Sequence, residues 1–405
     1  MFGSWPAHTT EARPYKQARR QGQREDRLFG EVLVSLPPMI AEQAFITPPN
    51  LVSALERAVA DMRELEAVAG DNLGALATFL VRTDSVASSK MEQLSASTEQ
   101  FAKAIAGSKA NHSATMMVAG AAAITAMVEG VGASQSIDEQ TLLLAHERLM
   151  RAEPSEAAWA GKYREAQNWI GGSDYSPRDA LFVPPPPELV SQYMNDLMLF
   201  CNRDDLPAVA QAAIAHAQFE SIHPFTDGNG RIGRALLNAV LRRRGVNRQT
   251  ITPVAAALVA QRDSYFDALT KYRQGDAVTI IKQVAVAAQI AARESLVSAL
   301  SLASLPEAWH QQVKAREGSA IQILLGKLLN NPVMAIGLAE RITSVSTAQV
   351  YLAMQRLEDE GVVHELTGRQ RDKVWGATGV LQELDSLASR IGSAVKSLAQ
   401  GQLAK

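Results

Sequence analysis

Residues 221–234 read SIHPFTDGNGRIGR and bring several chemically active side chains close together. His223 can accept a proton from a hydroxyl near neutral pH, because the ordinary pKa of an imidazole is about 6.5. Asp227 supplies a carboxylate, the ligand type that Mg²⁺ takes together with phosphate oxygens. Arg231 and Arg234 share one helix face, where two guanidinium groups can clamp phosphate oxygens. These residue types predict Mg²⁺-dependent nucleotide chemistry on a hydroxyl group.

The helix that follows these residues begins at a turn of small residues. Gly228, Asn229 and Gly230 stand directly before a helical pattern, ALLNAVLRRRG. Small residues ahead of a helix leave its first backbone N–H groups facing open space, and the helix dipole favours negative charge there. The plainer interpretation is that Asp227 caps the helix and Arg231 is a surface charge. Beside a Gly-Asn-Gly turn, an anion site is the favoured interpretation.

The composition predicts a mostly helical protein of two or three domains, since the 405 residues are 47% hydrophobic and only 5% aromatic. A net charge of −2 gives no overall basic field that would recruit nucleic acid or anionic lipid. Cys201 is the sole cysteine, which excludes an internal disulfide and favours a cytoplasmic protein. The polar N-terminus lacks the apolar core of a signal peptide. MMVAGAAAITAMV is too short to span a bilayer, so we expect a buried helix and no membrane contact.

Breakers and helical periodicity divide the chain into five segments. NWIGG and DALFV are short apolar runs around a turn-rich sequence, and they predict a β-hairpin that the PPPP run then ends. Further on, three helical patterns precede VVHELTGRQRDKVWGA, which predicts a two-stranded wing. The predicted segments are a polar arm at 1–30, poorly ordered or extended along its neighbour, a helical region at 31–130, a catalytic core at 131–300, a winged helix-turn-helix at 301–376 and a terminal helix at 377–405.

The sequence of the predicted winged helix-turn-helix does not decide whether this segment binds DNA or protein. Arg369, Arg371 and Lys373 lie on the wing and could follow phosphates. The recognition-helix pattern, STAQVYLAMQRLEDEG, ends in acidic residues, and the segment as a whole is close to neutral. Duplex binding normally needs a basic surface, so a protein contact or a structural role is favoured over DNA binding.

The motif resembles that of the Fic family, HPFx(D/E)GNGRxxR, at every specified position of HPFTDGNGRIGR. AHAQFESIHPF, GKYREAQNWIGG and ALFVPPPPE are similar to further parts of a Fic core, and the resemblance extends over roughly 30–375. It implies a mostly α protein with a Fic-type helical bundle core and a β-hairpin flap. It also implies transfer of AMP from ATP to a Ser, Thr or Tyr hydroxyl of a target protein. Self-modification and a homodimer remain open.

The resemblance implies a role for each charged residue of the motif. His223 would deprotonate the target hydroxyl, and Asp227 would hold Mg²⁺ between the α- and β-phosphates. Arg231 would contact the β-phosphate and Arg234 the γ-phosphate. The hydroxyl would attack the α-phosphorus while pyrophosphate leaves in line.

The uncharged residues of the motif would shape the loop. Gly228, Asn229 and Gly230 would cradle the phosphates through backbone N–H groups and the Asn amide. Phe225 would point inward, and Pro224 would limit the freedom of the backbone. Relatives similar to Doc kinases have Lys at the position of Gly230 and transfer the γ-phosphate, so glycine there favours nucleotidyl transfer.

The hairpin from 169 to 183 resembles the flap of the family, where an extended target segment is held by strand addition. Ala180, Leu181, Phe182 and Val183 would form the target-binding strand. Because backbone groups carry such binding, the sequence does not name the target.

Many Fic proteins carry (S/T)xxxE(G/N) on an inhibitory helix, whose glutamate pairs with the second arginine of the motif. Ser88 and Glu92 have this spacing on a helix expected at about 84–98, with Gln93 where Gly or Asn is usual. The resemblance implies that Glu92 pairs with Arg234 and blocks the γ-phosphate position.

A second segment, TAMVEG, matches the full inhibitory pattern through Glu129. The context VRTDSVASSKMEQLSASTE is more similar to that of the family, so Glu92 is favoured over Glu129. Two other functions stay open beside AMP transfer. One is a nucleotide-sensing DNA-binding regulator, and the other is removal of AMP from a target.

Overall fold

The computed structural model describes residues 5–17, 21–69 and 73–403. The protein is mostly helical, as predicted. Its contacts define a first unit of 1–56, 123–245 and 262–285, and a second unit of 57–122, 246–261 and 286–405. Both units are assembled from separate stretches of chain, whereas the sequence predicts consecutive segments.

The first unit contains the motif. Its elements are β1 (Thr9–Pro14), α1 (Arg24–Leu28), β2 (Glu31–Leu36), α6 (Glu139–Met150), α7 (Val190–Cys201), α8 (Ala208–Ile222), α9 (Asn229–Arg243) and α11 (Arg262–Arg273), with short 3₁₀ turns at Ala157–Trp159 and Pro187–Leu189. Three helices have residues in both units: α2 (Pro49–Ala69), α5 (His112–Ser134) and α12 (Ala277–Val313).

The second unit contains short helices and a small sheet. Its elements are α3 (Leu73–Met91), α4 (Thr98–Ile105), α10 (Val254–Val259), α13 (Ala320–Leu328), β3 (Val333–Ala335), α14 (Ile336–Thr343), α15 (Thr347–Asp359), β4 (Val363–Glu365), β5 (Val374–Ala377) and α16 (Thr378–Leu403).

Helices α8 and α9 pack closely and hold the motif loop between them. Every residue of α8 after Ala208 is buried, including its polar side chains. A Cβ at Gly233 would lie 2.5 Å from Glu220 Oε1 and 3.0 Å from Phe219 Cδ1. A glycine in α9 is therefore what allows the two backbones to approach.

The N-terminal residues form a pair of strands. β1 pairs antiparallel with β2, from Thr9 opposite Leu36 to Pro14 opposite Glu31. The prediction of a poorly ordered arm over 1–30 is thus wrong for residues 9–14, while the alternative of an extended segment describes them. The missed signal is the alternation in EVLVSL, whose two valines are buried while the leucine between them is exposed.

The predicted hairpin of the core is reduced to an antiparallel bridge between Ile170 and Phe182. Ile170 N–H donates to Phe182 O at 2.8 Å, and Leu181 N–H donates to Ile170 O at 2.8 Å. The ladder does not continue because Gly171 and Gly172, with φ of 74° and 75°, turn the chain away immediately after the bridge.

In the second unit, α13 to β5 follow the order helix, strand, helix, helix, strand, strand. The sheet has the antiparallel order β3-β5-β4. The predicted wing strands, β4 and β5, are present, and the short β3 is an additional strand. α12 continues to Val313 with Pro306 inside it, so much of the stretch 301–320 is helical.

Within the described chain, two helices are long and apolar enough to cross a membrane by length and composition, α5 and α12. Half of the most apolar window of each is buried inside the protein. α5 has 23 residues because it extends beyond the apolar run at both ends. Helices of this kind are common in protein cores, so neither indicates a membrane span by itself.

Candidate active site

The motif loop begins where α8 ends. His223 follows the last residue of α8 with φ of 51° and ψ of 59°, in the left-handed region, and its N–H donates to Phe219 O at 2.9 Å. A side chain other than glycine adopts this conformation at a cost of roughly 1–2 kcal/mol. Such a residue persists at a site when the surrounding structure holds it there. The half-buried His223 is therefore held by contacts from outside its own helix.

Arg164 and Asn168 supply these contacts. Arg164 Nε donates to His223 O at 2.9 Å, and its backbone N–H donates to Pro224 O at 2.9 Å. Asn168 Nδ2 donates to Phe225 O at 2.9 Å. Burial lowers the pKa of Arg164 to about 10, so the guanidinium stays charged at neutral pH. Neither residue lies within the motif, so the motif alone does not indicate their role.

Phe225 and His146 form the floor of the loop. Phe225 is fully buried, as predicted, and its ring stacks on His146 with 3.6 Å between ring centroids. His146 Nδ1 accepts from Gly161 N–H at 3.0 Å, so Nε2 carries the proton and donates to Asp227 O at 3.1 Å. Burial lowers the pKa of His146 to about 4, which keeps the ring neutral. This buried histidine fixes the backbone of Asp227.

The side chain of Asn229 closes the loop on itself. Its Oδ1 accepts from Phe225 N–H at 2.8 Å, and its Nδ2 donates to Phe225 O at 2.9 Å. The residue is only 3% exposed, and a buried amide is stable where both of its ends are hydrogen-bonded. The expectation that the Asn amide cradles phosphate is therefore corrected, because the amide binds the loop backbone.

Gly228 begins α9 and must be glycine. Its φ is +77°, and a Cβ there would lie 3.0 Å from Leu149 Cδ2 and 3.0 Å from Met150 Sδ. No side chain caps the helix at this residue. The first N–H groups of α9, including that of the half-buried Gly230, have no partner within the helix. The helix end predicted to bind an anion is thus present.

Arg231 is the best indication of an anion. The residue is 7% exposed, and its Nη2 lies 3.3 Å from Asp227 Oδ2. Its Nε and Nη1 are buried and have no hydrogen-bond partner in the part of the chain that the structure describes. Each buried donor without a partner costs about 1–3 kcal/mol, which an anion at these atoms would offset. Arg234, one turn further along α9, is also buried.

Asp227 presents its carboxylate to solvent, with 55% of the side chain exposed. Its Oδ1 accepts from Gly228 N–H at 2.6 Å. Among the described residues no group of three or more metal-binding side chains occurs. One carboxylate nevertheless suits Mg²⁺ in a nucleotide site, because phosphates and water supply the remaining ligands.

His216 lies behind the motif, inside α8. It is fully buried, and its Nε2 lies 2.8 Å from the Tyr265 hydroxyl oxygen. Burial, and then the charge of Arg234, lower the pKa of His216 to about 3. The His216 ring is therefore neutral beside the motif.

The residues predicted to form the flap strand have different environments. Leu181 is 85% exposed, whereas Phe182 and Val183 are buried. The guanidinium of Arg273 lies 3.6 Å from the ring centroid of Phe182. Val183 O accepts from Ser35 N–H at 2.8 Å, so β2 already occupies one backbone acceptor of the flap. Ala180 is half-buried and packs against the cluster around Val183.

The tip of the flap is attached to the N-terminal segment through Asp26. Its Oδ1 accepts from Ser176 Oγ at 2.8 Å and from Arg178 Nε at 3.3 Å, and its Oδ2 accepts from Gln23 N–H at 2.9 Å. Hydrogen bonds from Ser173 and Ser176 hold the pKa of Asp26 well below its usual range. Asp26 is thus an ionised anchor for the flap that the sequence analysis missed.

The predicted inhibitory residues lie at the end of α3, in the second unit. Ser88 is buried and Glu92 is exposed at the helix end. Gln93 follows with φ of +63°; its N–H donates to Lys90 O at 3.0 Å, and the next N–H, of residue 94, donates to Ser89 O at 3.0 Å. These two bonds make a Schellman ending, so Gln93 takes the conformation that Gly or Asn usually provides.

Glu129 has a different local setting. It lies within α5, which continues to Ser134, so its backbone is that of a helix interior. Glu92 and Glu129 therefore differ in that only the first stands at a helix end.

Comparison with known proteins places the motif in a family. A sequence profile described as the Fic/DOC family matches residues 136–241. A protein adenylyltransferase Fic from Nematostella vectensis is 35% identical over 156 residues, which are 38% of this chain and 32% of that protein. A protein adenylyltransferase from Caenorhabditis elegans is 32% identical over 154 residues, covering 37% of this chain and 26% of that protein. The chain thus spans a third or less of the length of these relatives.

The fold is similar to that of a solved Fic family protein from Desulfovibrio desulfuricans. The two share 22% identity with a TM-score of 0.53, over 83% of this chain and 98% of the other. The profile match contains the entire loop from His223 to Arg234. Residues 136–241 are therefore similar to the Fic/DOC family, and this match includes the whole motif loop.

Proposed function

We propose that the protein is a protein adenylyltransferase, which transfers AMP from ATP to a hydroxyl of a target protein. The observation that carries this proposal is the buried guanidinium of Arg231, whose Nε and Nη1 have no protein acceptor among the described residues. These donors stand beside the uncapped N-terminus of α9, so the local environment favours a polyphosphate. The relatives named protein adenylyltransferases support AMP as the transferred group.

In the proposed reaction, His223 accepts the proton of the target hydroxyl. The hydroxyl oxygen forms a bond to the α-phosphorus, the bond from that phosphorus to the bridging oxygen breaks, and pyrophosphate leaves with the electron pair. Arg164 and Asn168 hold the backbone of the loop at His223 and Phe225. These contacts fix the backbone position from which the imidazole of His223 extends. Positioning of this kind supplies a large part of the rate in phosphoryl and nucleotidyl transfer.

The remaining motif residues neutralise charge on the phosphates. Arg231 and the first N–H groups of α9 would bind the β-phosphate, and Arg234 the γ-phosphate. Asp227 would hold Mg²⁺, which supplies positive charge to the phosphate oxygens when it is bound. Glycine at 230 supports attack at the α-phosphorus rather than γ-phosphate transfer.

The target would bind along the flap. Leu181 supports this because it is a large apolar side chain with 85% of its surface exposed. Since Val183 O is already bonded to Ser35, the segment added by the target would pair nearer to Leu181.

Inhibition would come from Glu92 through competition with the γ-phosphate for Arg234. The spacing from Ser88 to Glu92 and the sharp end of α3 after Glu92 support this assignment. Glu129, in a helix interior, lacks this setting. Glu92→Gly should therefore increase nucleotide binding and transfer, and Glu129→Gly should leave both unchanged.

The test is incubation of the full chain with Mg²⁺, cell lysate and ATP labelled at the α-phosphate. Label should appear on protein, and His223→Ala should remove it. His364→Ala, at an exposed histidine in the second unit, is the matched control and should label normally. Labelling that survives His223→Ala, or label that transfers only from γ-labelled ATP, would overturn the proposed reaction.

A further inference from the structure

The second unit contains a cavity of about 360 Å³ that no part of the proposed reaction uses. Its walls come from α3, α4, α5, α10 and α16. The interior is largely apolar, and its volume lies within the range of small-molecule sites in proteins. The apolar lining includes Val86, Ala87, Phe101, Met117, Val259 and Leu384.

The polar side chains that line the cavity are those of Thr83, Lys90, Ser97, Thr98 and Asp385. Thr83 Oγ1 donates to Phe79 O within α3, and Ser97 Oγ accepts from Gln100 N–H at the start of α4. Thr98 Oγ1 donates to Asp385 Oδ1 at 2.5 Å, so this carboxylate already has a partner. Lys90 is exposed, and its ammonium has no hydrogen bond or ion pair with any residue that the structure describes. The cavity thus combines an apolar interior with one cation that is available to a ligand.

We propose that this cavity binds a small amphipathic anion, with its apolar chain among the five helices and its carboxylate on Lys90. A neutral apolar molecule would leave the ammonium unused, and a cationic amphiphile would meet it with like charge. A cationic amphiphile would also have to compete with Thr98 for the carboxylate of Asp385, one of whose oxygens already accepts from that hydroxyl. A few placed polar groups around an apolar interior are what fix ligand orientation in such sites.

The cavity lies against the face of α3 that contains Thr83, Ala87 and Lys90. The same helix ends at Glu92, so a ligand that packs on this face stabilises the helix carrying the inhibitory glutamate. This regulatory part rests on the proposed inhibition by Glu92. The ligand should therefore strengthen inhibition, because it favours the state in which α3 is fully formed.

The binding test uses octanoate as the probe, with octylamine and octanol for comparison, and isothermal calorimetry on the full chain. Octanoate should bind, and Lys90→Glu should weaken it at least about tenfold, a loss of about 1.4 kcal/mol. Lys327→Glu, at an exposed lysine outside the cavity, should bind as the wild type does. Ala87→Phe fills the cavity and should abolish octanoate binding. If Ala87→Phe fails to fold, the loss of affinity in Lys90→Glu still tests the site.

Absence of octanoate binding to the wild type would overturn the site. So would octylamine binding as tightly as octanoate, or octanoate binding that Lys90→Glu leaves intact. In the activity arm, octanoate should reduce AMP transfer by the wild type and leave that of Glu92→Gly unchanged. Binding without this reduction overturns the regulatory part alone. If Glu92→Gly shows no increase in AMP transfer, inhibition by Glu92 is overturned. The octanoate-binding result does not depend on that outcome.

Discussion

Several helices of this protein end with a residue other than glycine in the left-handed region, and two of these helix ends carry proposed functional residues. His223 ends α8 and Gln93 follows α3, with φ of 51° and 63°. The first is the proposed base of the reaction, and the second follows the proposed inhibitory glutamate. What differs is the source of their support.

His223 is held from outside its helix. Arg164 binds its carbonyl, and the following residues are bound by Asn168 and Asn229. Gln93 is held by the backbone hydrogen bonds of the helix end itself. The strained residue at the proposed reaction centre is therefore fixed by several side chains from other parts of the chain. The end of α3 is fixed by backbone hydrogen bonds of the helix itself.

The largest effect is expected from removing the support of His223. Arg164→Ala should reduce AMP transfer by about a hundredfold or more, because the imidazole is no longer positioned. It should also lower the free energy of unfolding by about 3 kcal/mol, since a charged donor to several buried carbonyls is lost. Transfer assays and chemical denaturation measure the two losses.

Arg293→Ala is the matched control for this prediction. Arg293 forms an ion pair with Asp61 at 2.9 Å, but its side chain is 60% exposed. Exposed pairs contribute about 0–1 kcal/mol, so this variant should keep both activity and stability. Similar losses in the two variants would mean that Arg164 has no special part in holding the loop.

The second effect concerns acid pH and the support beneath the loop. The pKa of His146 is lowered from 6.5 to about 4 by burial, so the unfolded state takes up this proton first as the pH falls. The free energy of unfolding should therefore decrease from about pH 6.5 down to pH 4, by an amount on the order of 3 kcal/mol. Above pH 6.5 this group should contribute no pH dependence. Thermal unfolding at a series of pH values gives the profile.

His146→Gln separates this group from the others that titrate. A glutamine side chain can still donate to Asp227 O, but it does not take up a proton in this range. Its stability should depend less steeply on pH between 6.5 and 4 than that of the wild type. Equal slopes would show that His146 is not the group responsible, and buried His216, whose pKa is lowered to about 3, would be the next to examine.

The contrast between the two ends also explains what the sequence could predict. The residues that indicate the start of α9 all lie within the short segment from His223 to Arg234. Its glycines and charged residues predict a helix start without information about distant residues. The end of α3 also depends only on neighbouring residues. It was harder to predict because Gln93 stands where Gly or Asn is usual. The inward position of Phe225, which the resemblance to the Fic family implies, is present in the structure.

Contacts between distant parts of the chain were not predictable in the same way. Arg164 lies 59 residues from His223, and Asp26 lies 150 residues from Ser176, so no local pattern reports either pair. Asn229 was assigned to the phosphates because its partner, the backbone of Phe225, carries no side-chain signal. The flap was overestimated as a hairpin because the conformations of the two glycines after Ile170 depend on tertiary structure.

The smallest effect is a gain in stability at the other end. Gln93→Gly should raise the free energy of unfolding by about 1 kcal/mol, because glycine adopts a positive φ without the clash of a Cβ. Gln93→Ala, which keeps the Cβ, should give no gain. The equivalent change at the other helix end, His223→Gly, should abolish AMP transfer because it removes the proposed base. A melting temperature of Gln93→Gly at or below that of Gln93→Ala would show that α3 is held by more than its own backbone, and the distinction between the two helix ends would then fail.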